Sequence, residues 1–287
     1  MPALLIISQQ KNAEVFHEIF LELPGKISLS SSRQDEKVFA HTFLIDKLPT
    51  RTTCLEFREK LQKENSDILY LPALLEKNKP SLFAFDMDST LIEEEVIDEL
   101  AREKGVFEEV ARVTEEAMQG KLDFQTALRK RCSLLQGLEV QVFNKIYERL
   151  HPREGLKKLF SFFKQEKIHT AVFSGGFVPI LEKFSLEYGI DFFAANTLEV
   201  MNGKLSGSVI GDIVDREKKR ELFLQRRDFY KLEPGQTVAC GDGSNDLLML
   251  NEAGLGIGIH AKQGLKEKIH NWIDYFSIDV LKFVFSG

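Results

Sequence analysis

The chain has 287 residues, 43% of them apolar and 29% charged, with a formal net charge of −6. At about 100–200 residues per domain this length suggests two domains, and the apolar-to-charged balance excludes a low-complexity or fibrous chain. The acidic balance and the lack of a long basic run argue against nucleic acid as a partner.

The start, MPALLIISQQKN, carries a five-residue apolar run with no basic flank. That is too short for a signal peptide or a membrane span. The three cysteines, Cys54, Cys132 and Cys240, stand at unrelated spacings. They fit neither a disulfide framework nor a zinc site and point to a reducing compartment, so the expected location is the cytoplasm, with no membrane partner.

Residues 1–76 read as a small N-terminal α/β (α+β) domain. ALLIIS and KVFAHTFLI are strand candidates, NAEVFHEIFLEL has helical periodicity up to Pro24-Gly25, and TTCLEFREKLQKENSDILYLP reads as a helix leading into a strand. His17 and His41 are lone histidines, expected to be ordinary surface or core residues. EKNKPS (76–81) is polar, contains Pro80 and reads as a linker.

Residues 80–287 form the second expected domain. SLFAFD, IHTAVFS, DFFAAN, QTVACG and LGIGI are short apolar runs, mostly separated by helical patterns. That alternation predicts a parallel sheet with helices on both faces, hence an α/β fold. The stretch from Glu93 to Leu150 is helical throughout and is expected as a cap (about 93–150) inserted between core segments 80–92 and 151–287. LEVMNGKLSGSV is a second, smaller insertion, and Asn202-Gly203 signals a two-residue hairpin.

In open parallel sheets, sites form beyond the carboxyl ends of the strands. Four polar stretches are expected there. In DMDST, Asp86 and Asp88 stand two residues apart. One carboxylate can attack phosphorus to give an acyl phosphate, and the other can give a proton to the leaving oxygen and take one from water. Two carboxylates so close repel, and Mg²⁺ suits a site with few carboxylates, waters and a phosphate oxygen. Asp88 or Ser89 could equally be a helix cap. In VFSGGF (172–177), Ser174 ends a strand, and Gly175 and Gly176 let backbone N–H groups approach an anion at a helix start. In KKRELFLQRR, either Lys218 or Lys219 could neutralise a nucleophilic carboxylate, while the Lys218-Lys219-Arg220 triplet as a whole reads as a solvated helix face. In VACGDGSNDLLML (238–250), Asp242 and Asp246 flank a tight turn, and Asn245 offers an amide.

Taken together, DMDST, SGGF, Lys219 and GDGSND resemble the four motifs of the haloacid dehalogenase superfamily of aspartate-nucleophile phosphatases. The resemblance covers about Leu82 to Lys282 and is strongest to members acting on O-phospho-L-serine, through FDMDSTLIEEEVIDELA, EEAMQGKLDFQTALRKR, VIGDIVD and GDGSNDLLML. It implies a Rossmann-like parallel core with a helical cap, and hydrolysis of O-phospho-L-serine to L-serine and phosphate, the last step of serine biosynthesis. It implies Asp86 as nucleophile and Asp88 as general acid/base. Mg²⁺ would be held by Asp86, the Asp88 carbonyl and Asp242, with Asp246 in support. Ser174, Gly175, Lys219 and Asn245 would bind the phosphoryl group. From the cap, Glu95 would pair with the substrate ammonium, Arg131 would grip its carboxylate, and Met118 and Phe124 would close over the site. Met87, Ser244 and Leu248 depart from the motifs without touching a charged role. The resemblance is compatible with a homodimer and with an effector-binding N-terminal domain. Three rival functions remain open at this level: transfer of the phosphoryl group to another alcohol, hydrolysis of a different small phosphate ester, and a non-catalytic amino-acid sensor.

Overall fold

The computed structural model of the protein describes residues 1–16, 20 and 26–286. The N-terminal part is a four-stranded antiparallel sheet with order β2-β3-β1-β4, made from β1 (Ala3–Ser8), β2 (Ile27–Asp35), β3 (Val38–Ile45) and β4 (Asp67–Leu71). Helix α1 (Arg51–Gln62) joins β3 to β4, with Thr50 as its cap. β2 carries no apolar period, because it lies at the sheet edge and is mostly exposed. Of the helix expected over residues 12–23, the structure describes a 3₁₀ turn, Ala13–Phe16, and Phe20, which is helical and buried; His17 lies outside the described residues. His41 is a satisfied core histidine, its ring nitrogens 2.9 Å from Ser32 Oγ and 2.8 Å from the Gln10 carbonyl.

The second sheet has seven strands in the order β11-β10-β9-β5-β6-β7-β8. β5 (Leu82–Phe85) is central and pairs in parallel with β6 (His169–Phe177) on one side and β9 (Thr237–Gly241) on the other. All four of its residues are fully buried, which is why the run is apolar without alternation. The chain leaves β5 in opposite directions along the sheet, so a crevice opens at the carboxyl ends of β5, β6 and β9. β7 (Phe192–Met201) and β8 (Lys204–Ile210) form the expected hairpin, antiparallel, with Asn202 and Gly203 at φ 52° and 75°.

The stretch after β5 is helical as expected: α2 (Val96–Lys104), α3 (Phe107–Met118), α4 (Phe124–Leu134) and α5 (Val142–Arg149). Its two ends meet in a neck, where the Glu93 N–H donates to the His151 carbonyl and the Arg153 N–H to the Leu91 carbonyl. The hairpin supports the cap from the other side, through hydrogen bonds between 137–140 and 203–205. Helices α6 (Leu156–Glu166), α7 (Val178–Tyr188) and α8 (Arg216–Phe229) connect the next strands.

After β9 come α9 (Leu247–Glu252), β10 (Leu255–Ile259), the single-turn α10 (Gln263–Lys266) and β11 (Trp272–Ile273). β11 has two residues, too few to show a period. This terminal stretch is where the two sheets join. Leu75 pairs in parallel with Phe285, and Arg33 donates to the carbonyls of Phe283 and Phe285. Ala3, Leu5 and Ile7 share one apolar core with β5, α6 and the chain end, while Leu4 and Ile6 pack on the other face under α1. Arg58 is buried, lies 3.8 Å from the Trp272 ring centroid, and donates to the carbonyls of Trp272 and Ile68.

Arg58→Ala is expected to cost about 2–4 kcal/mol of stability by leaving buried carbonyls without a donor and removing a stacked side chain. Urea unfolding measures it; a loss under about 0.5 kcal/mol would contradict the joint described here.

Candidate active site

Asp86 directly follows β5, and its N–H donates to the Cys240 carbonyl of β9 (2.9 Å). The strand is buried, so the carboxylate emerges in a place water barely reaches. Its Oδ1 accepts from the Lys219 ammonium (2.8 Å) and the Met87 N–H (2.7 Å). Its Oδ2 has only a long contact, 3.4 Å, with Asn245 Nδ2. One oxygen is fixed and the other is left for chemistry. The loop beyond it wraps tightly, with the N–H groups of Thr90, Leu91 and Ile92 converging on the Met87 carbonyl. Ser89 sits at φ +59°, a conformation that costs a non-glycine residue about 1–3 kcal/mol and persists only where its surroundings impose it. Those surroundings are visible: the Ser89 carbonyl accepts from Arg153 Nη2 (2.8 Å) and its hydroxyl donates to Glu95 Oε1 (3.0 Å).

Asp88 has neutral partners. Oδ1 accepts from the Val96 N–H at the start of α2 (3.1 Å), and Oδ2 from Ser174 Oγ (3.3 Å). Burial beneath the cap, then the charges of Glu95 and Asp86, push its pKa well above the usual carboxylate range. The Val96 N–H and the Lys219 charge pull the other way without cancelling that rise. A Cβ on Gly176 would stand 2.6 Å from Asp88 Oδ2, so only glycine lets β6 run this close. Asn196 fixes the same loop by donating to the Gly175 carbonyl (2.8 Å) and accepting from the Val214 N–H (2.9 Å).

The Lys218/Lys219 alternative is settled by burial. Lys218 lies on the surface between Asp212 and Glu221. Lys219 is 1% exposed, its Nζ 2.8 Å from Asp86 and 2.7 Å from Asp246. Burial alone lowers a lysine pKa; the charges of Asp246 and Asp86 more than reverse this and hold it above its ordinary value. Burial pushes the Asp246 pKa up and the Asp86 charge adds to that, while the Lys219 ammonium opposes them; Asp246 also accepts from the N–H groups of Asp242 (3.2 Å) and Gly243 (3.1 Å) and, at 3.3 Å, from Asn245 Nδ2. With an ammonium on one oxygen and two amides on the other, Asp246 is the anionic anchor of Lys219. A Cβ on Gly241 would fall 2.4 Å from the Asp246 carboxyl carbon, so the end of β9 also requires glycine.

Carboxylate oxygens of Asp86, Asp242 and Asp246 lie within 4.8 Å of one another, and all three residues are buried. Asp242 Oδ2 is buried without a well-formed hydrogen bond and meets the Lys262 ammonium at 2.8 Å. An all-oxygen donor set with an under-satisfied buried oxygen fits a hard divalent cation.

From the cap, Glu95 precedes α2 and faces Ser89 and Lys262. Arg131 is half-buried, has a buried Nε without a partner, and reaches Thr114 Oγ1 only at 3.5 Å. Burial lowers its pKa, against the charges of Glu95, Asp98 and Asp88 around it. The Phe124 ring lies over Gly175 and is 37% exposed. Met118, expected over the site, is instead 83% exposed at the last position of α3. A cavity of about 480 Å³ between cap and core is lined by Phe124, Gln125, Asp215 and Asn245 among others. Larger depressions, such as one of about 710 Å³ beside α5 and α7, lie away from the carboxylates. The sequence reading gave no role to Lys262 or Arg153, and offered Ser89 only as a helix cap, whereas it stands in the strained loop and bonds to Glu95. Lys262 lies just past the carboxyl end of β10, as Asp86 lies past β5 and Asp242 past β9.

The haloacid dehalogenase-like hydrolase family matches residues 80–254. A phosphoserine phosphatase of Archaeoglobus fulgidus is 41% identical over 216 residues, covering 74% of this chain and 63% of that protein. The chain thus spans under two thirds of that relative's length. A phosphoserine phosphatase of Methanocaldococcus jannaschii is 41% identical over 209 residues, 72% of this chain and 99% of its own. Among solved structures, a HAD family hydrolase from Salmonella enterica serovar Typhi matches with a TM-score of 0.89 at 28% identity, covering 99% of this chain and 98% of that one. The last match includes the N-terminal sheet.

Lys219→Met is expected to cost about 3–5 kcal/mol in metal-free buffer, because it strands two buried carboxylates. Urea unfolding in EDTA reads this; a loss below about 1 kcal/mol would show that Lys219 is not their counter-charge.

Proposed function

This chain belongs to the haloacid dehalogenase-like hydrolases, and on that premise we propose that it hydrolyses O-phospho-L-serine through a phosphorylated Asp86. The observation that carries the reading is the unequal treatment of two carboxylates two residues apart. Asp86 is held by an ammonium with one oxygen left over; Asp88 has neutral donors and a raised pKa. That is the division a nucleophile and a general acid need. The relatives' names and the cap supply the substrate.

Asp86 Oδ2 attacks phosphorus, and the ester oxygen leaves with the Asp88 proton, releasing serine. Asp88, now a carboxylate, takes a proton from the water that attacks the acyl phosphate. Phosphate leaves, and Asp86 is restored. Lys219, Asn245, Ser174 and the Gly175 N–H group lie around the phosphoryl oxygens and stabilise the charge that spreads over them in a loose transition state. Asp86, Asp242 and the Asp88 carbonyl would hold Mg²⁺, with Asp246 behind them, and the ion would add positive charge against the same oxygens. The cap limits water around the intermediate.

Substrate choice is assigned to the cap. A guanidinium with a buried unpartnered Nε beside the catalytic loop suits a carboxylate. Glu95, opposite, suits an ammonium. Together they select a zwitterion bearing a phosphate ester.

Phosphate release with Mg²⁺ is compared for L-phosphoserine, phosphohomoserine and p-nitrophenyl phosphate. A strong preference for phosphoserine is expected. Arg131→Ala should lower its kcat/KM by about thirtyfold or more, since losing one partner of a buried charged pair costs about 2–5 kcal/mol, while p-nitrophenyl phosphate changes by less than about threefold. Equal rates on all three substrates, or equal loss on all three in the variant, would remove phosphoserine as the substrate.

A further inference from the structure

The N-terminal sheet reaches the active site through one short helix. At its far end, Arg51 of α1 donates to three carbonyls at and beyond the end of α10: Lys266 (3.0 Å), Glu267 (2.5 Å) and Ile269 (2.5 Å). At its near end stands Lys262, whose carbonyl accepts from the N–H groups of Leu265 and Lys266 and whose N–H donates to the Asp242 carbonyl (2.8 Å). Leu265, between them, is fully buried. The helix is therefore held at both ends and in the middle, and four residues of helix behave as one rigid piece about 6 Å long.

The Lys262 side chain is 61% exposed, so packing does not place it. Charge does: Nζ lies 2.8 Å from Asp242 Oδ2 and 3.4 Å from Glu95 Oε1. These are the two carboxylates that the proposed function gives to the metal and to the substrate ammonium. A buried carboxylate without a counter-charge is costly, so the free enzyme needs a cation at Asp242 that can later give way. A half-exposed lysine on a flexible stem is such a cation.

We propose that Lys262 is a positioning residue, the resting counter-ion of Asp242 and Glu95 that the incoming divalent metal displaces, and that Arg51 sets its place through α10. The inference rests on Asp242 being a metal ligand. It gives the N-terminal unit a hold on metal affinity without any residue of its own in the site. Each ammonium contact is exchanged for another cation, so the charge of the site stays balanced as ligands arrive.

Mg²⁺ is titrated into the full-length, metal-free protein by isothermal calorimetry, without substrate. Lys262→Met should tighten the Kd by roughly two- to fivefold, the range of a partly exposed ion pair, and Lys262→Arg should leave it near the parent value. Arg51→Ala should also tighten it, and should add nothing in the Lys262→Met background. Unchanged or weaker Mg²⁺ binding in Lys262→Met overturns the counter-ion role. An equal Arg51→Ala effect in both backgrounds, or a null effect in the parent, overturns the link through α10. If Arg51→Ala does not fold, Arg51→Lys, which keeps the charge but loses the fork, takes its place. No Mg²⁺ binding by the parent protein overturns the metal-ligand premise, and with it the proposal. Since no substrate is present, a wrong substrate assignment leaves this result untouched and shows only in the turnover assay.

Discussion

Three aspartates converge out of reach of water at the ends of two adjacent parallel strands, and the chain can fold that way only with positive charge built in beside them. Lys219 is the fixed part of that charge. Asp246 exists to hold Lys219: it accepts from the ammonium on one side and from two backbone amides on the other. Other features follow from this arrangement. β5 and β9 must lie side by side so that Asp86 and Asp242 meet, which the central place of β5 provides. Gly241 must lack a side chain so that Asp246 can fold back on the end of β9.

The same crowding separates the two carboxylates of the catalytic loop. Asp86 has the ammonium, so Asp88 must manage with neutral donors, and a carboxylate so placed holds its proton more firmly. The loop that carries them is strained just beyond Asp88, at Ser89, and is kept so by Arg153, which stands at the neck where the cap returns to the core. A movement of the cap about that neck therefore bears on the loop that carries the acid. The exposed Met118 and Phe124 flank the turn between α3 and α4.

Much of this was legible from residues alone, for identifiable reasons. SLFAFD announces a buried strand ending in charge because burial on both faces leaves no alternation, and the four polar stretches stand out because each interrupts an apolar run. The hairpin was legible in Asn202-Gly203 because few residues accept positive φ twice in succession. Lys218 and Lys219 could not be told apart, since adjacent residues on a helix point about 100° apart and only the fold says which direction is inward. β2 was missed because an edge strand has no buried face to impose a period, and Lys262 because a lysine near acids reads as a solvated surface residue. The five apolar residues of β1 revealed a strand but not that its two faces join different cores, one of them shared with the catalytic sheet.

The most direct test of the account is to find the phosphoryl group. The protein is mixed with phosphoserine and Mg²⁺, quenched in acid within milliseconds, and its peptides are mapped by mass spectrometry. Phosphate on the peptide containing Asp86, in an amount approaching one per chain during the burst and absent from Asp86→Asn, is the expected result. Turnover with no phosphorylated peptide, or with the group on another residue, would contradict the assignment of Asp86 as nucleophile.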